Sequence, residues 1–333
     1  MNVLLIVAGI ATLVAVYSLA ALALNFQFGV GGMINFGVAA FFGVGAYGYA
    51  FASMPPSDGW YTYAIGLALP WWVGALIGGV AAMLLALLVG LVTLRIGGVY
   101  LAVVSLALAE MVRQLFINEP AIANGNRGLL DVPVPLSDVI RGRELSLVIA
   151  AVALGVLAVA YLVVRRATRS AFGRNLLAIN ENEAVAKSLG IDVYRTKVKG
   201  FVFAAFFMGI AGVMYVWYLS ILTPTIFSVN ITFTVFIALI IGGMGSNPGA
   251  VAGTAILIGL REGVTYLKVD FIAPEQLAAL QDAVQGLALI AILLFWPRGL
   301  LRRSSRMREC LVESGHPQVV APAMSASATG ASR

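Results

Sequence analysis

The sequence predicts an all-α protein, a polytopic transmembrane helix bundle of about nine spans (eight to ten) with short cytoplasmic coupling helices attached. Three observations carry that expectation. Of the 333 residues, 61% are hydrophobic and only 11% charged, whereas a water-soluble domain of this size needs roughly a quarter of its residues charged to cover its surface. Apolar runs of about 20 residues, the length that crosses a hydrocarbon core as a helix, recur along the chain. Finally, 14 of the 21 Lys and Arg fall into two stretches, eight in 165–199 and six in 297–333. That clustering is expected of cytoplasmic loops, because positively charged segments resist translocation.

The runs extend from Val3 to Leu24, Ile34 to Ser53, Trp71 to Leu94, Val99 to Ile117, Ser146 to Val164, Gly200 to Leu219, Val229 to Gly243, Gly249 to Leu267 and Leu277 to Trp296. The first ends in Ala21-Leu22-Ala23, a pattern shared with cleaved signal peptides, but Met1-Asn2 offers no cationic start and the run is too long, so a retained span is expected. Four runs separate the two basic stretches, so both can lie in the cytoplasm, with Arg95 inside and residues 118–145 outside. That outer segment holds three basic and four acidic residues and shows no cytoplasmic excess. The same count puts the N-terminus outside and the C-terminus inside. Residues 1–303 form the expected membrane domain, and 304–333, rich in Ser, Ala and Pro without periodicity, a disordered cytoplasmic tail.

Composition also excludes functions. Cys310 and His316 are the only residues of their kinds and lie in the tail, so no disulfide framework, metal cluster or His-based catalytic group is expected in the membrane body. The net charge of +6 is accounted for by the loops and does not point to nucleic acid. No G-x-x-x-x-G-K-[ST] loop occurs, so ATP-driven work would need another chain to hydrolyse the nucleotide.

Three features could carry function. Residues 170–199 are too long and too patterned for a mere connection. Phe172, Leu176 and Ile179 sit at helical spacing, Asn180 is a candidate cap for a second helix with Glu183 reaching back, Glu183 faces Lys187 at i, i+4, and Gly190 suits a left-handed helix end. Two short helices follow, lying on lipid or docking a partner protein. Glu110 and Arg113 lie within one span on one helical face, where charges mark a pathway unless they form a register-fixing pair or reach water at the span's end. Broken helices could form a solute site at Phe28 to Gly37, around Asn35, and at Gly242 to Gly249, with Ser246 and Asn247, unless these are tight turns. Gly31-Gly32-Met33 and Gly242-Gly243-Met244 echo one another across these two places. Arg261 and Glu262 read as an interfacial pair.

Five segments in fixed order resemble a known family: INFGVAAFFGVGAY at 34–47, LRIGGVYLAVVSLALAEMVR at 94–113, FGRNLLAINENEAVAKSLGI at 172–191, IGGMGSNPGAVAG at 241–253 and PRGLL at 297–301. The chain resembles the membrane permease subunits of bacterial ABC importers for branched-chain amino acids, of the LivM-like type. The resemblance implies a bacterial inner-membrane protein working with a second, LivH-like permease, two cytoplasmic ABC ATPase subunits that bind ATP and Mg, and a periplasmic solute-binding protein. It implies that Phe172, Gly173, Arg174, Asn180, Glu181, Glu183, Ala186, Leu189 and Gly190 form the element that couples to the ATPase. Similar permeases import urea or short amides, and an ion-coupled carrier or channel using Glu110 is the alternative outside the family. The chain departs from the family's patterns at Ile34 to Val38 and at Ala123 to Leu129.

Overall fold

The computed structural model describes residues 3–56, 63, 65–95, 98–137, 140, 142–266, 274–295 and 299–301. The tail from 304, Cys310, His316 and the basic residues Arg298, Arg302, Arg303, Arg306 and Arg308 lie outside the described residues.

The described residues are helical nearly throughout. The α-helices are α1 (Val3–Leu24), α2 (Val38–Ser53), α3 (Trp71–Thr93), α4 (Gly98–Asn118), α5 (Pro120–Ala123), α6 (Arg143–Arg169), α7 (Ala171–Glu181), α8 (Glu183–Ser188), α9 (Val193–Leu219), α10 (Val229–Gly242), α11 (Asn247–Tyr266) and α12 (Pro274–Phe295). Extended pairing is confined, among these residues, to two isolated bridges.

Every apolar run of the sequence overlaps a long helix, yet six helices among the described residues are long and apolar enough to cross a membrane by length and composition. They are α1 with its extension to Val30, α3, α4, α6, α9, and α10 with the turn before it. Of the others, α2 has 16 residues, α11 contains Arg261 and Glu262, and α12 contains Glu275 and Asp282. The expected bounds shift where hydropathy and hydrogen bonding part company. α6 continues to Arg169 and α9 begins at Val193, because a helix keeps its i to i−4 bonds after its side chains turn polar. α2 starts at Val38 and not at Ile34, because the backbone before it leaves the helical path.

α1 is the axis of the bundle, in contact with α6, α9, α10 and α11. Its residues Ala15, Val16, Leu19 and Leu22 are fully or almost fully buried. Beside it α2, α3 and α9 pack on one another. A Cβ on Gly212 would lie 1.9 Å from the Phe42 carbonyl oxygen, and one on Gly45 would lie 2.4 Å from the Gly209 Cα. Between helices in lipid, attraction comes from such close backbone approach and not from expelled water. On the far flank the Tyr47 and Phe116 rings stack at 3.9 Å, joining α2 to α4.

The two ends of the bundle are distinct. At one end the Tyr194 hydroxyl donates to the Leu91 carbonyl at 2.7 Å, and the Arg95 guanidinium sits over the Tyr194 ring. There too the Asn247 amide donates to the Thr168 hydroxyl at 3.5 Å. The Leu300 and Leu301 N–H groups donate to the carbonyls of Ile241 and Gly242 at 3.0 and 3.1 Å. These bonds gather the ends of α3, α6 and α10, the starts of α9 and α11, and residues 299–301 on the face that carries α7 and α8. At the other end Leu129 and Leu222 exchange backbone hydrogen bonds at 2.8 and 2.9 Å, and the Tyr49 hydroxyl donates to the Pro133 carbonyl at 2.5 Å.

Gly212→Leu is expected to force α2 and α9 apart at a cost of about 1–3 kcal/mol, read as a lower unfolding temperature in detergent. Gly155→Ala, at a helical position with nothing within 4 Å of the added carbon, should leave that temperature unchanged or slightly raised.

Candidate functional site

After Leu24 the first helix does not stop but widens. Asn25–Val30 form a π-helical turn, a distortion found often where a helix serves function. Residues 31–37 are then non-helical up to the start of α2, and Gly32 turns the chain with φ +66°. Irregular backbone inside an apolar bundle must find hydrogen-bond partners within the protein, and a set of buried side chains supplies them.

Asn25, fully buried, donates from Nδ2 to Asn247 Oδ1 at 2.8 Å and accepts the Gly245 N–H at 2.8 Å. Gln27 donates to the Phe201 carbonyl of α9 at 3.0 Å and accepts from Asn35 Nδ2 at 2.8 Å. The other end of Asn35, its Oδ1, accepts the Gly37 N–H at 2.8 Å. The donors at the start of α2 that lack a helical partner find hydroxyls: Phe36 N–H donates to Ser105 Oγ of α4 at 2.9 Å, and Ala39 N–H to Thr232 Oγ1 of α10 at 3.1 Å. Ser246 Oγ accepts the Gly249 N–H at 3.2 Å, capping α11. The stretches that carry the two Gly-Gly-Met runs are thus brought together beside them: a Cβ on Gly29 would meet the Gly245 backbone at 2.5 Å. Asn35, Ser246 and Asn247, singled out in the sequence, all belong to this buried junction with hydrogen bonds made inside the chain. Asn25, Gln27, Ser105 and Thr232 were not singled out. For the first two the signal was available, as two amides closing an apolar run of more than 20 residues.

On the face below the junction lie α7 and α8. Ser170 caps α7 by accepting the Gly173 N–H at 3.4 Å. Gly173 fits only as glycine, since a Cβ there would stand 2.3 Å from the Thr168 carbonyl. Phe172 meets Phe26 ring to ring at 6.0 Å. Leu176 is buried beside Gly31 and Gly200, and Ile179 packs with Ala186 and Val193. The Asn180 side chain lies against Gly32, where a Cβ would meet its Oδ1 at 2.2 Å. Asn180 is therefore not the cap of the second helix. Asn182 takes that place, its Oδ1 accepting the N–H groups of Ala184 and Val185 at 3.0 and 3.1 Å, because α7 runs on to Glu181 behind buried Ile179 and carries Asn180 inside the helix.

α8 closes as the sequence anticipates. Gly190, with φ +80°, donates to the Lys187 carbonyl, and Ile191 donates to that of Ala186, at 3.0 and 3.1 Å. This pair of bonds satisfies the last carbonyls of the helix. Glu183 pairs with Lys187 at 3.1 Å and with Lys197 of α9 at 2.7 Å. The hydrogen bond from Lys197 comes first in holding its carboxyl below the usual range, with Lys187 adding to it. The outer side of this element is apolar where water would be expected: Leu189 is 72% exposed and Val185 53%. Arg174 and Glu181 of α7 are exposed as well.

Glu110 and Arg113 of α4 form a pair, Arg113 Nε donating to Glu110 Oε2 at 2.9 Å. Their side chains are 42% and 22% exposed on the flank of the bundle, next to Met111, which is 69% exposed. A cavity of about 10 Å³ behind Arg113, against Phe116 and Phe227, has room for about one water. Arg261 and Glu262, read from the sequence as an interfacial pair, are both partly buried on α11, with Arg261 near the Tyr17 hydroxyl of α1. Among the described residues no group of three or more His, Cys, Asp and Glu could hold a metal ion.

The family model described as "Branched-chain amino acid transport system / permease component" matches residues 6–293. The chain is 27% identical over 317 residues to the high-affinity branched-chain amino acid transport system permease protein LivM of Escherichia coli, covering 88% of this chain and 69% of that one. It is 26% identical, with the same coverage, to LivM of Salmonella typhimurium. To the E. coli permease protein LivH it is 31% identical over 136 residues, 40% of this chain and 41% of that one. No solved structure matches. The match over most of the chain, with the helices that it spans, makes this protein a member of the branched-chain amino acid transport permease family, a membrane subunit of an ABC importer.

Proposed function

We propose that the chain is the LivM-like half of the membrane channel of an ATP-driven importer for branched-chain or related amino acids. A periplasmic binding protein delivers the solute, a LivH-like sister permease completes the channel, and two cytoplasmic ATPase subunits supply the work. The observation that carries this reading is the element α7–α8. It turns exposed Val185 and Leu189 away from the bundle while gripping, through Phe172, Leu176 and Asn180, the irregular segment that joins α1 to α2. Exposed apolar side chains ringed by charge are what a protein partner covers. The grip on Gly31 and Gly32 gives a push from outside a direct route to the break in the bundle.

The basic face with Arg95, Arg165, Arg166 and Arg169 is the cytoplasmic one by the distribution of positive charge. Taking each of the nine helices that overlap an apolar run as a crossing, the shorter α2 included, the N-terminus lies outside and the C-terminus inside the bacterial inner membrane. The chain carries no nucleotide loop of its own, so ATP and Mg bind to the partner subunits. Glu110 and Arg113 sit about 12 Å and about 8 Å from the outer end of α4, at 1.5 Å per residue. A half-exposed ion pair at that depth is costly against lipid, which favours placing this face of α4 along the solute path and against the sister permease. The buried amides Asn35 and Asn247, with Ser246, hold the break that borders the path.

In proteoliposomes, the complex with ATPase, sister permease and binding protein should take up leucine on addition of ATP. The lone chain should take up none under a proton or sodium gradient, and uptake by the lone chain would overturn the assignment. Leu189→Asp and Glu183→Arg are expected to lower solute-stimulated ATP hydrolysis about tenfold, the scale of a lost interface anchor, with insertion into the membrane unchanged. Asn180→Ala should separate grip from docking, with ATPase binding retained and uptake reduced several-fold.

Because the folded-state pKa of Glu183 is depressed, its bridge to Lys197 contributes fully above the unfolded carboxyl value of about 4.3. That contribution is lost only as pH falls through the lower folded value. ATPase binding should therefore stay constant from pH 6 to 8 in the parent protein. A decline over that window would assign the contact to another group.

A further inference from the structure

A groove of about 540 Å³ runs between α6 and α11, lined by Leu154, Ala158, Tyr161 and Leu162 on one side and Val251 and Ala255 on the other. Both helices pack on α1, and the small side chains Ala158 and Ala255, both exposed, leave the space between them open. The wall is almost wholly apolar. From Leu154 to Leu162 it follows α6 for about 12 Å, at 1.5 Å per residue.

The groove leads to a basic mouth. Arg165 follows Tyr161, and Arg166 follows Leu162, at i, i+4, so that the face of α6 that lines the groove continues onto these guanidinium groups, with Arg169 one turn beyond. All three arginines are exposed, and none forms an ion pair with a described carboxylate. The start of α11 lies at the same level, since Asn247 hydrogen-bonds Thr168, and adds the positive end of a 20-residue helix. Tyr161 stands between the apolar wall and the cationic mouth, the position in which an aromatic ring with a polar tip marks a membrane interface.

We propose that this groove binds one anionic phospholipid, an acyl chain lying between α6 and α11 and the headgroup phosphate held by Arg165, Arg166 and Arg169. The occupant follows from charge complementarity and place: an apolar slot opening sideways into the bilayer excludes a soluble ligand, and an arginine cluster that no described carboxylate neutralises selects a negative headgroup at its mouth. Only the leaflet, the cytoplasmic one, rests on the orientation proposed above. The site itself does not depend on what is transported.

The test is lipid retention by the full chain, purified from membranes in mild detergent, washed with phosphatidylcholine or phosphatidylglycerol, and weighed by native mass spectrometry. Phosphatidylglycerol should be retained about tenfold over phosphatidylcholine, as expected for a basic pocket beside membrane helices. The triple change Arg165→Gln, Arg166→Gln, Arg169→Gln should remove that preference, and the triple change to Lys should keep it, which controls for folding. Ala255→Trp, filling the slot with the arginines intact, should reduce retention as strongly. Equal retention of both lipids would overturn the proposal. So would unchanged retention in Ala255→Trp, which would reduce the effect to surface charge, or cross-linking of a cysteine at position 158 to the sister permease, which would show the groove covered by protein. Retention is read without solute or ATP, so its failure would leave the transport assignment standing, and failed transport would leave the lipid site standing.

Discussion

A peptide group in hydrocarbon has no water to turn to, and the junction between α1 and α2 is where this chain meets that constraint most sharply. Non-helical backbone runs there through the interior of the bundle. It is stable because Asn25, Gln27 and Asn35 act as substitute peptide groups, each side chain filling a donor or acceptor that the interrupted helix leaves open. Ser105 and Thr232 do the same for the first N–H groups of α2. Leaving such a group unpaired costs several kcal/mol in lipid, so the interruption can persist only as a complete set. The set draws on α4, α9, α10 and the loop before α11, which explains how one irregular stretch comes to organise the bundle around it.

The same stretch is also where the two sides of the protein's work meet. Its inner boundary is the α7 surface, through Phe172 on Phe26 and Asn180 on Gly32. α8 is tied to α9 by the Glu183 bridge to Lys197, whose value as a half-exposed pair is modest. Apolar contact bears most of the load, and the ion pair sets the direction in which α8 projects.

What was legible in the sequence was what is local. Helix existence followed from apolar runs. Glu183 with Lys187, Glu110 with Arg113, and the left-handed Gly190 all depend on neighbours within four residues and were readable as such. The cap was local too, but ambiguous. In Asn180-Glu181-Asn182-Glu183 each Asn precedes an acid, and the choice fell to Asn182 because Ile179 is buried and keeps the helix going past Asn180. Helix length was misjudged where Arg165 to Arg169 and Val193 to Lys199 stay helical outside the apolar zone. The Asn25 to Asn247 bond joins residues 222 apart, and no periodicity or motif carries such information. The repeated Gly-Gly-Met hinted that the two segments share a role without saying that they touch.

The approach of α2 to α9 at Gly45, Gly209 and Gly212 has a kinematic consequence. Main chain rests on main chain there, and no side-chain rotamer can relax to let the helices slide. α2, α3 and α9 therefore travel as one rigid block. Any change in the solute path must be taken up at its seams, and the hinge nearest the motor is the stretch from Gly29 to Gly37.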